Sequence, residues 1–274
     1  MPAELRRLSP DLGVEISGVD FRTLDDDKSA LFRKAFADHQ LVLIRNADLS
    51  DEQGTALSEL LGPVSFVSPV MRQGGGRKFS YIGNQQPDGK LRDGELLFHA
   101  DHSFHSSPLK AISLYSLAAP SEGGETLYIN AAAAYRRLPP ALKKRIGSLE
   151  ARHIAEYSAF AGDERPRYDP NSRAKVAVHP VVWRHPDSGE PILFVSRLLT
   201  ESILGMDYDD SEALLQELFT YTEDASHQYA HKWQVGDFVI WDNRQLQHAR
   251  RDFDPGQPRS LRRVPIDEPV TAAA

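Results

Sequence analysis

Apolar residues keep two different rhythms along this chain. In the first 65 residues, short apolar runs alternate with helical spacing. Gly13 to Ser17 is a first strand candidate, and the charged, amphipathic stretch from Asp25 to Asp38 reads as a helix. Gln40 to Ile44 is rich in Leu, Val and Ile between polar residues, which predicts a buried strand. Ser50-Asp51-Glu52-Gln53 has capping-box spacing, so a second helix opens there and ends near Gly62.

After Val70 the rhythm changes to short strands separated by Gly, Pro and Asp. The candidates are Phe79–Ile82, Ala111–Ser116, Thr126–Ile129, Val176–Val182, Ile192–Val195, Phe238–Trp241 and Ser260–Ile266. Frequent turns between short strands point to a sandwich or barrel. Two helices interrupt them. One starts at Pro139-Pro140, where proline suits the first turn, and the other follows an acidic cap at Asp210-Ser211 and runs to about Asp224. The pattern predicts a mainly β fold with peripheral helices, a double-stranded β-helix (jelly roll, cupin-like). Residues 1–274 are expected to form one catalytic domain. In it, α/β elements of 1–65 pack on a roll with helical insertions over 66–274.

Composition narrows the function. The chain has 32 basic and 39 acidic residues, net −7, so it carries no footprint for nucleic acid or an anionic membrane. It has no cysteine, which excludes disulfides and thiolate chemistry. The N-terminal segment has no apolar signal core, and no run approaches the length of a membrane span. A soluble, cytoplasmic protein is expected.

Candidate chemistry concentrates in Phe98-His-Ala-Asp-His-Ser-Phe104. On a strand, residues i and i+2 share a face, so His99 and Asp101 would present an imidazole and a carboxylate together. One distant histidine would complete a two-His, one-carboxylate set with open positions, the arrangement of iron(II) oxygenases. Composition alone does not select that histidine. His102 would face the other way, and His105 lies too far along. His179 and His185 sit in His-Pro pairs that favour hairpin structure, while His153, His227 and His231 read as ordinary surface or core residues. An HxD pair alone is a weak signal. Downstream, Arg259 and Arg263 are four apart and so share a strand face, with Arg262 turned away. Two inward guanidinium groups need anionic partners, which suggests a dicarboxylate and an acidic substrate. A solvated basic edge strand is the plainer alternative.

His99-Ala-Asp101 with Phe104, Gly123-Gly-Glu-Thr126, Trp241-Asp-Asn-Arg244 with His248, and Arg259 with Arg263 occur in this order. As an ordered set, from about Gly13 to Ile266, the chain resembles the taurine dioxygenase and chlorophenoxyacetate dioxygenase superfamily of iron(II)/2-oxoglutarate enzymes. The resemblance implies that His99, Asp101 and His248 hold Fe(II). It implies that 2-oxoglutarate meets Arg259 and Thr126, with Trp241 as a wall beside the metal, and that O2 is the oxidant. Arg263 matches the arginine that grips the acidic group of the primary substrate, and Glu95 and Phe104 fall in its substrate region.

The implied reaction hydroxylates a small carboxylate, sulfonate or sulfate ester and releases succinate and carbon dioxide. C–O, C–N or C–S cleavage follows where the hydroxyl lands beside the heteroatom. Retention of Asp101 argues for hydroxylation over halogenation. The resemblance also implies a homo-oligomer, dimer or tetramer. Glu95 stands where the taurine enzyme carries an amide, which disfavours taurine and could pair with a substrate amine. Gly74–Gly76 and Tyr157 to Arg173 are expected as lid or pocket loops. Competing readings are a hydroxylase or desaturase of an amino-acid-like metabolite, a non-catalytic metal- or 2-oxoglutarate-binding protein, and a zinc hydrolase using the same ligands.

Overall fold

The computed structural model describes residues 3–66, 78–155 and 167–268. Its strands are β1 (Glu4–Arg7), β2 (Val14–Ser17), β3 (Leu41–Ile44), β4 (Ser80–Gly83), β5 (Leu96–His99), β6 (Ala111–Ala118), β7 (Thr126–Asn130) and β8 (Glu150–Ile154). They continue as β9 (Val176–Pro180), β10 (Val182–Arg184), β11 (Pro191–Leu193), β12 (Thr200–Ile203), β13 (Tyr229–His231), β14 (Phe238–Asp242), β15 (Leu246–Arg250) and β16 (Ser260–Ile266). The helices are α1 (Asp26–His39), α2 (Asp51–Glu59), α3 (Ala131–Arg137), α4 (Pro140–Ile146) and α5 (Tyr208–Thr222).

Local chemistry sets the helix ends. The Asp25 carboxylate accepts from the Lys28 N–H at the start of α1, and Asp26 and Asp27 complement the dipole of its first turn. Both arms of the Ser50/Gln53 capping box form at α2. The cap of α5 is Asp207, three residues before the expected Asp210-Ser211 pair. Its side chain accepts from the Asp210 N–H, so the acidic pair lies inside the helix, where Asp210 occupies the first turn. α1 buries Phe32, Ala35 and Phe36, a helical spacing that places one apolar stripe against the sheet.

Seven strands form the larger sheet, in the order β1-β2-β3-β14-β6-β16-β4, with only β2 and β3 parallel. The period of two divides its central strands between two cores. Val42, Ile44, Phe238, Ile240, Val264 and Ile266 point to one side, where they pack with Phe32 and Phe36 of α1 and Leu57 of α2. Leu41, Leu43, Ile112, Leu114, Val239, Trp241 and Leu261 point to the other. There they meet Tyr128 and Leu246 from a four-stranded antiparallel sheet ordered β13-β7-β15-β5. Burial on both faces explains why β3 and β14 read as continuous apolar runs. The two facing sheets make the double-stranded β-helix that the strand pattern predicts, and the site lies between them.

A third core joins α3, α4 and α5 to β8, β11 and β12. The expected strand Val176–Val182 is two strands, because Val181 changes partners: its N–H still pairs with the Leu149 carbonyl next to β8, while its carbonyl accepts from the Phe194 N–H next to β11. Elements absent from the expected set include β1, whose four residues are all exposed, α3, whose four buried alanines follow an Asn130 cap, and the short strands β8, β12 and β13. Gly74–Gly76 and 157–166 of the expected lid loops lie outside the described residues.

Candidate metal centre and active site

β5 and β15 run antiparallel and place His99 directly opposite His248. Their ring centroids are 4.2 Å apart. Asp101 joins them by a route other than the expected one. β5 ends at His99, and Asp101 opens a turn in which His102 takes a left-handed φ of 61°. The carboxylate still swings to the same side. Its Oδ1 lies 3.4 Å from His99 Nε2, and potential ligand atoms of His99, Asp101 and His248 all lie within 4.8 Å of one another.

The protonation states suit a cation. His99 Nδ1 lies 2.8 Å from the Leu97 carbonyl, which can only accept, so Nδ1 carries the proton and Nε2 offers its lone pair. Burial pushes the His248 imidazole down to about 3, leaving it neutral at ordinary pH. Burial alone would raise Asp101, but the Arg263 cation together with the neighbouring His99 and His248 outweighs it and holds the carboxyl well below the usual range. Arg263 Nη2 donates to Asp101 Oδ2 over 2.7 Å. The two carboxylate oxygens are thereby divided, one toward the histidines and one toward the arginine.

Arg259, just before β16, and Arg263 within it line the same cavity as the three candidate ligands, together with Thr126 and Trp241. Arg262 faces the opposite way, bonded to Asp51 and to the Ser50 carbonyl. The environment of Arg259 is unusual. It is 2% exposed, its Nε has only a long 3.4 Å contact to the Gly124 carbonyl, and its Nη1 is buried without a hydrogen-bond partner. Burial and the nearby Arg250 both push its guanidinium down from the ordinary arginine range, as expected of a cation with no anion beside it.

Arg250 also lines the cavity, yet its donors are spent on the carbonyls of Leu91, Asp93 and Gly94. The Gly123-Gly124 pair of the sequence motif fits close to Arg259. Gly124 has φ of 67°, and a Cβ there would sit 3.3 Å from the arginine's Cδ and Nε. Asn84 fixes the Arg259 backbone, accepting its N–H at 3.0 Å.

The Thr126 hydroxyl accepts from Trp233 Nε1 over 3.0 Å, and the Trp241 ring stands 4.8 Å from that of His248. Glu95 is exposed and is not among the lining residues, because it precedes β5 rather than sharing its inward face. Phe104 is buried under the turn with Leu198, Leu199 and the lining residue Leu96, one layer behind the cavity wall. Sequence reasoning passed over Trp233, Asn84 and the apolar lining of Ile82, Leu96 and Leu114. A tryptophan or an asparagine in isolation carries no signal of a partner more than 100 residues away.

His179 bonds the His105 carbonyl, and His153 meets His179 edge-on and Phe194 at a tilt. A second group of potential ligands, His185, Asp187 and Asp242, lies behind the larger sheet. Its charges are already matched. His185 bonds Asp242 and Ser188 through its two nitrogens, and Arg244 bridges Asp242 and Asp187.

A family model described as "Taurine catabolism dioxygenase TauD, TfdA family" matches residues 4–264. The chain is 28% identical over 277 residues to an (S)-phenoxypropionate/alpha-ketoglutarate-dioxygenase of Sphingobium herbicidovorans, covering 94% of this chain and 92% of that one. It is 32% identical over 278 residues to an alpha-ketoglutarate-dependent sulfate ester dioxygenase of Pseudomonas putida, covering 96% and 85%. Among solved structures, AAD-2 in complex with Mn(II) and N-oxalylglycine superposes with a TM-score of 0.82 at 26% identity, over 100% of both chains. No helix among the described residues is long and apolar enough to cross a membrane. The chain belongs to the taurine catabolism dioxygenase TauD, TfdA family and is an oxidoreductase of the alpha-ketoglutarate-dependent dioxygenase class.

Proposed function

We propose that His99, Asp101 and His248 hold Fe(II), that Arg259 and Thr126 hold the distal carboxylate of 2-oxoglutarate, and that the enzyme hydroxylates a small acidic substrate beside Arg263. The observation that carries this reading is Arg259. A guanidinium 2% exposed with a bare Nη1 is costly, and a carboxylate that enters the cavity removes the cost. Arg259 lines the cavity that also contains the three candidate ligands, so a dicarboxylate held there at one end faces the metal set at the other. Together, Fe(II), 2-oxoglutarate and O2 supply a reaction that ends in succinate, carbon dioxide and a hydroxylated substrate.

The chain's own residues do the rest. His99 and His248 offer imidazole nitrogens, and Asp101 offers an anionic donor whose second oxygen is already taken by Arg263. Thr126 has its hydroxyl oriented by Trp233. Ile82, Leu96 and Leu114 give the cavity an apolar wall that excludes water, which suits an acid with an apolar body. Two relatives point the same way, one named for phenoxypropionate and one for sulfate esters. If the hydroxyl is placed on a carbon that bears oxygen, the product fragments at that C–O bond.

The same reading takes residues 1–274 as one catalytic domain, supported by β2 and β3 being strands of the sheet that carries Arg263. It also places a homo-oligomer, dimer or tetramer, in the cytoplasm. The test is a succinate-release screen over small carboxylates, sulfonates and sulfate esters with Fe(II) and 2-oxoglutarate. Stimulation by at least one acid is expected. Turnover that needs zinc but neither O2 nor 2-oxoglutarate would contradict the reading.

A further inference from the structure

The three candidate ligands come from two segments far apart in sequence, and the strand ladder stops at His99. Backbone pairing therefore does not fix Asp101 relative to the histidines. The side chain of Asn243 takes over where the ladder ends. Its Oδ1 accepts the Asp101 N–H over 2.8 Å, and its Nδ2 donates to the Asp101 carbonyl over 2.9 Å. The same Nδ2 donates to the Leu109 carbonyl over 3.0 Å, and the Asn243 N–H donates to the Lys110 carbonyl over 3.0 Å.

One fully buried residue thus pins both ends of the turn that joins β5 to β6. Asn243 itself sits between β14 and β15, five residues before His248 on the strand that carries it. Its own position is set by Asp242, whose carboxylate accepts the N–H groups of Arg244 and Gln245. Only a primary amide offers an acceptor and two donors in one plane at this place. A carboxylate would turn an oxygen toward two carbonyls, and an apolar side chain would leave three backbone groups unpaired, the Asp101 N–H and the carbonyls of Asp101 and Leu109.

We propose that Asn243 is the positioning residue of the metal centre, the group that sets the Asp101 carboxylate against His99 and His248. The proposal rests on the metal reading above. It assigns Asn243 no contact with substrate or metal. Its effect passes through the backbone of Asp101.

Mn(II) titration, followed by the electron paramagnetic resonance signal of the free ion, tests it without turnover. Asn243→Ala is expected to bind Mn(II) about 10–100-fold more weakly than the wild type. Asn243→Asp, which keeps the acceptor but loses the donors, is expected to fall in the same range and supplies the comparison should Asn243→Ala not fold. Amide hydrogen exchange over residues 97–107 should be faster in both, measured without metal. Ser58→Ala is the control. It removes a buried hydrogen bond to Ser113 at the α2–β6 contact and should leave Mn(II) affinity unchanged.

Wild-type affinity in the Asn243 variants, or an equal loss in Ser58→Ala, would overturn the proposal. Undiminished affinity in Asp101→Ala would instead overturn the metal reading beneath it.

Discussion

Arg263 donates to Asp101 over 2.7 Å, so the arginine expected to grip the substrate is also held by a candidate metal ligand. This contact divides the carboxylate, leaving Oδ1 to the histidine side. Arg263→Ala should therefore have two effects. The KM for the acidic substrate should rise about tenfold or more, and Mn(II) affinity should fall by a smaller factor. Steady-state kinetics on an active acid, with Mn(II) titration alongside, separates them. A changed metal affinity with an unchanged KM would mean that Arg263 serves Asp101 alone.

Among the described residues Arg259 is a buried cation with no carboxylate partner; the Phe253 ring centroid lies 5.7 Å from its Cζ, and Nε makes a long contact to Gly124. Removing the charge should relieve the ligand-free fold. Arg259→Met is expected to be more stable than the wild type by about 1–3 kcal/mol in urea unfolding without ligand. Added Mn(II) and 2-oxoglutarate should raise the melting temperature of the wild type but not that of the variant. A less stable variant, or one still stabilised by 2-oxoglutarate, would show that the site is not waiting for a carboxylate.

Trp233 donates to the Thr126 hydroxyl, which also stands beside the Tyr128 phenol, so the indole fixes one side of the hydroxyl oxygen. Trp233→Phe keeps an aromatic ring and loses this donor. The KM for 2-oxoglutarate should rise a few-fold, with kcat little changed. The same KM in both proteins would detach Trp233 from the cosubstrate.

Acid stability follows from the buried histidines. Burial, with His179 alongside, lowers His153 from 6.5 to about 3, and burial lowers His102 to about 4. The folded state keeps these rings neutral while the unfolded chain protonates them near 6.5. Their contribution is therefore complete above pH 6.5 and is lost as pH falls toward the folded values, at about 1.4 kcal/mol per pH unit for each group. Urea unfolding of the metal-free protein should show stability dropping between pH 7 and pH 5. His153→Phe, which suits a ring packed on Phe194, should flatten that slope by about one proton. Equal slopes would mean that His153 is charged in the fold.

Much of this architecture was legible in the sequence because its determinants are local. The capping box at Ser50, the strand Ser260–Ile266 and the outward turn of Arg262 all follow from spacing of a few residues. The β1 edge and the alanine-rich α3 were not legible, since neither has an apolar period to read. At the site, the types and order of the candidate residues could be read, but the reason that His99 and Asp101 meet could not. They converge through a turn held by Asn243, a contact 142 residues distant. Glu95 and Phe104 illustrate the same limit from the other side: nearness to the HxD pair in sequence does not put a side chain in the cavity. Whether Arg259 had a partner was likewise a question of what surrounds it in three dimensions.

The most direct test of the central assignment needs no substrate. Fe(II) and 2-oxoglutarate are added to the protein without oxygen, and the visible spectrum is recorded against 2-oxoglutarate concentration. The wild type should develop a weak charge-transfer band that requires both additions. Arg259→Met should need far more 2-oxoglutarate to reach it, and His248→Ala, folded by circular dichroism, should give none. Absence of the band from the wild type, or an undiminished band in His248→Ala, would contradict the assignment.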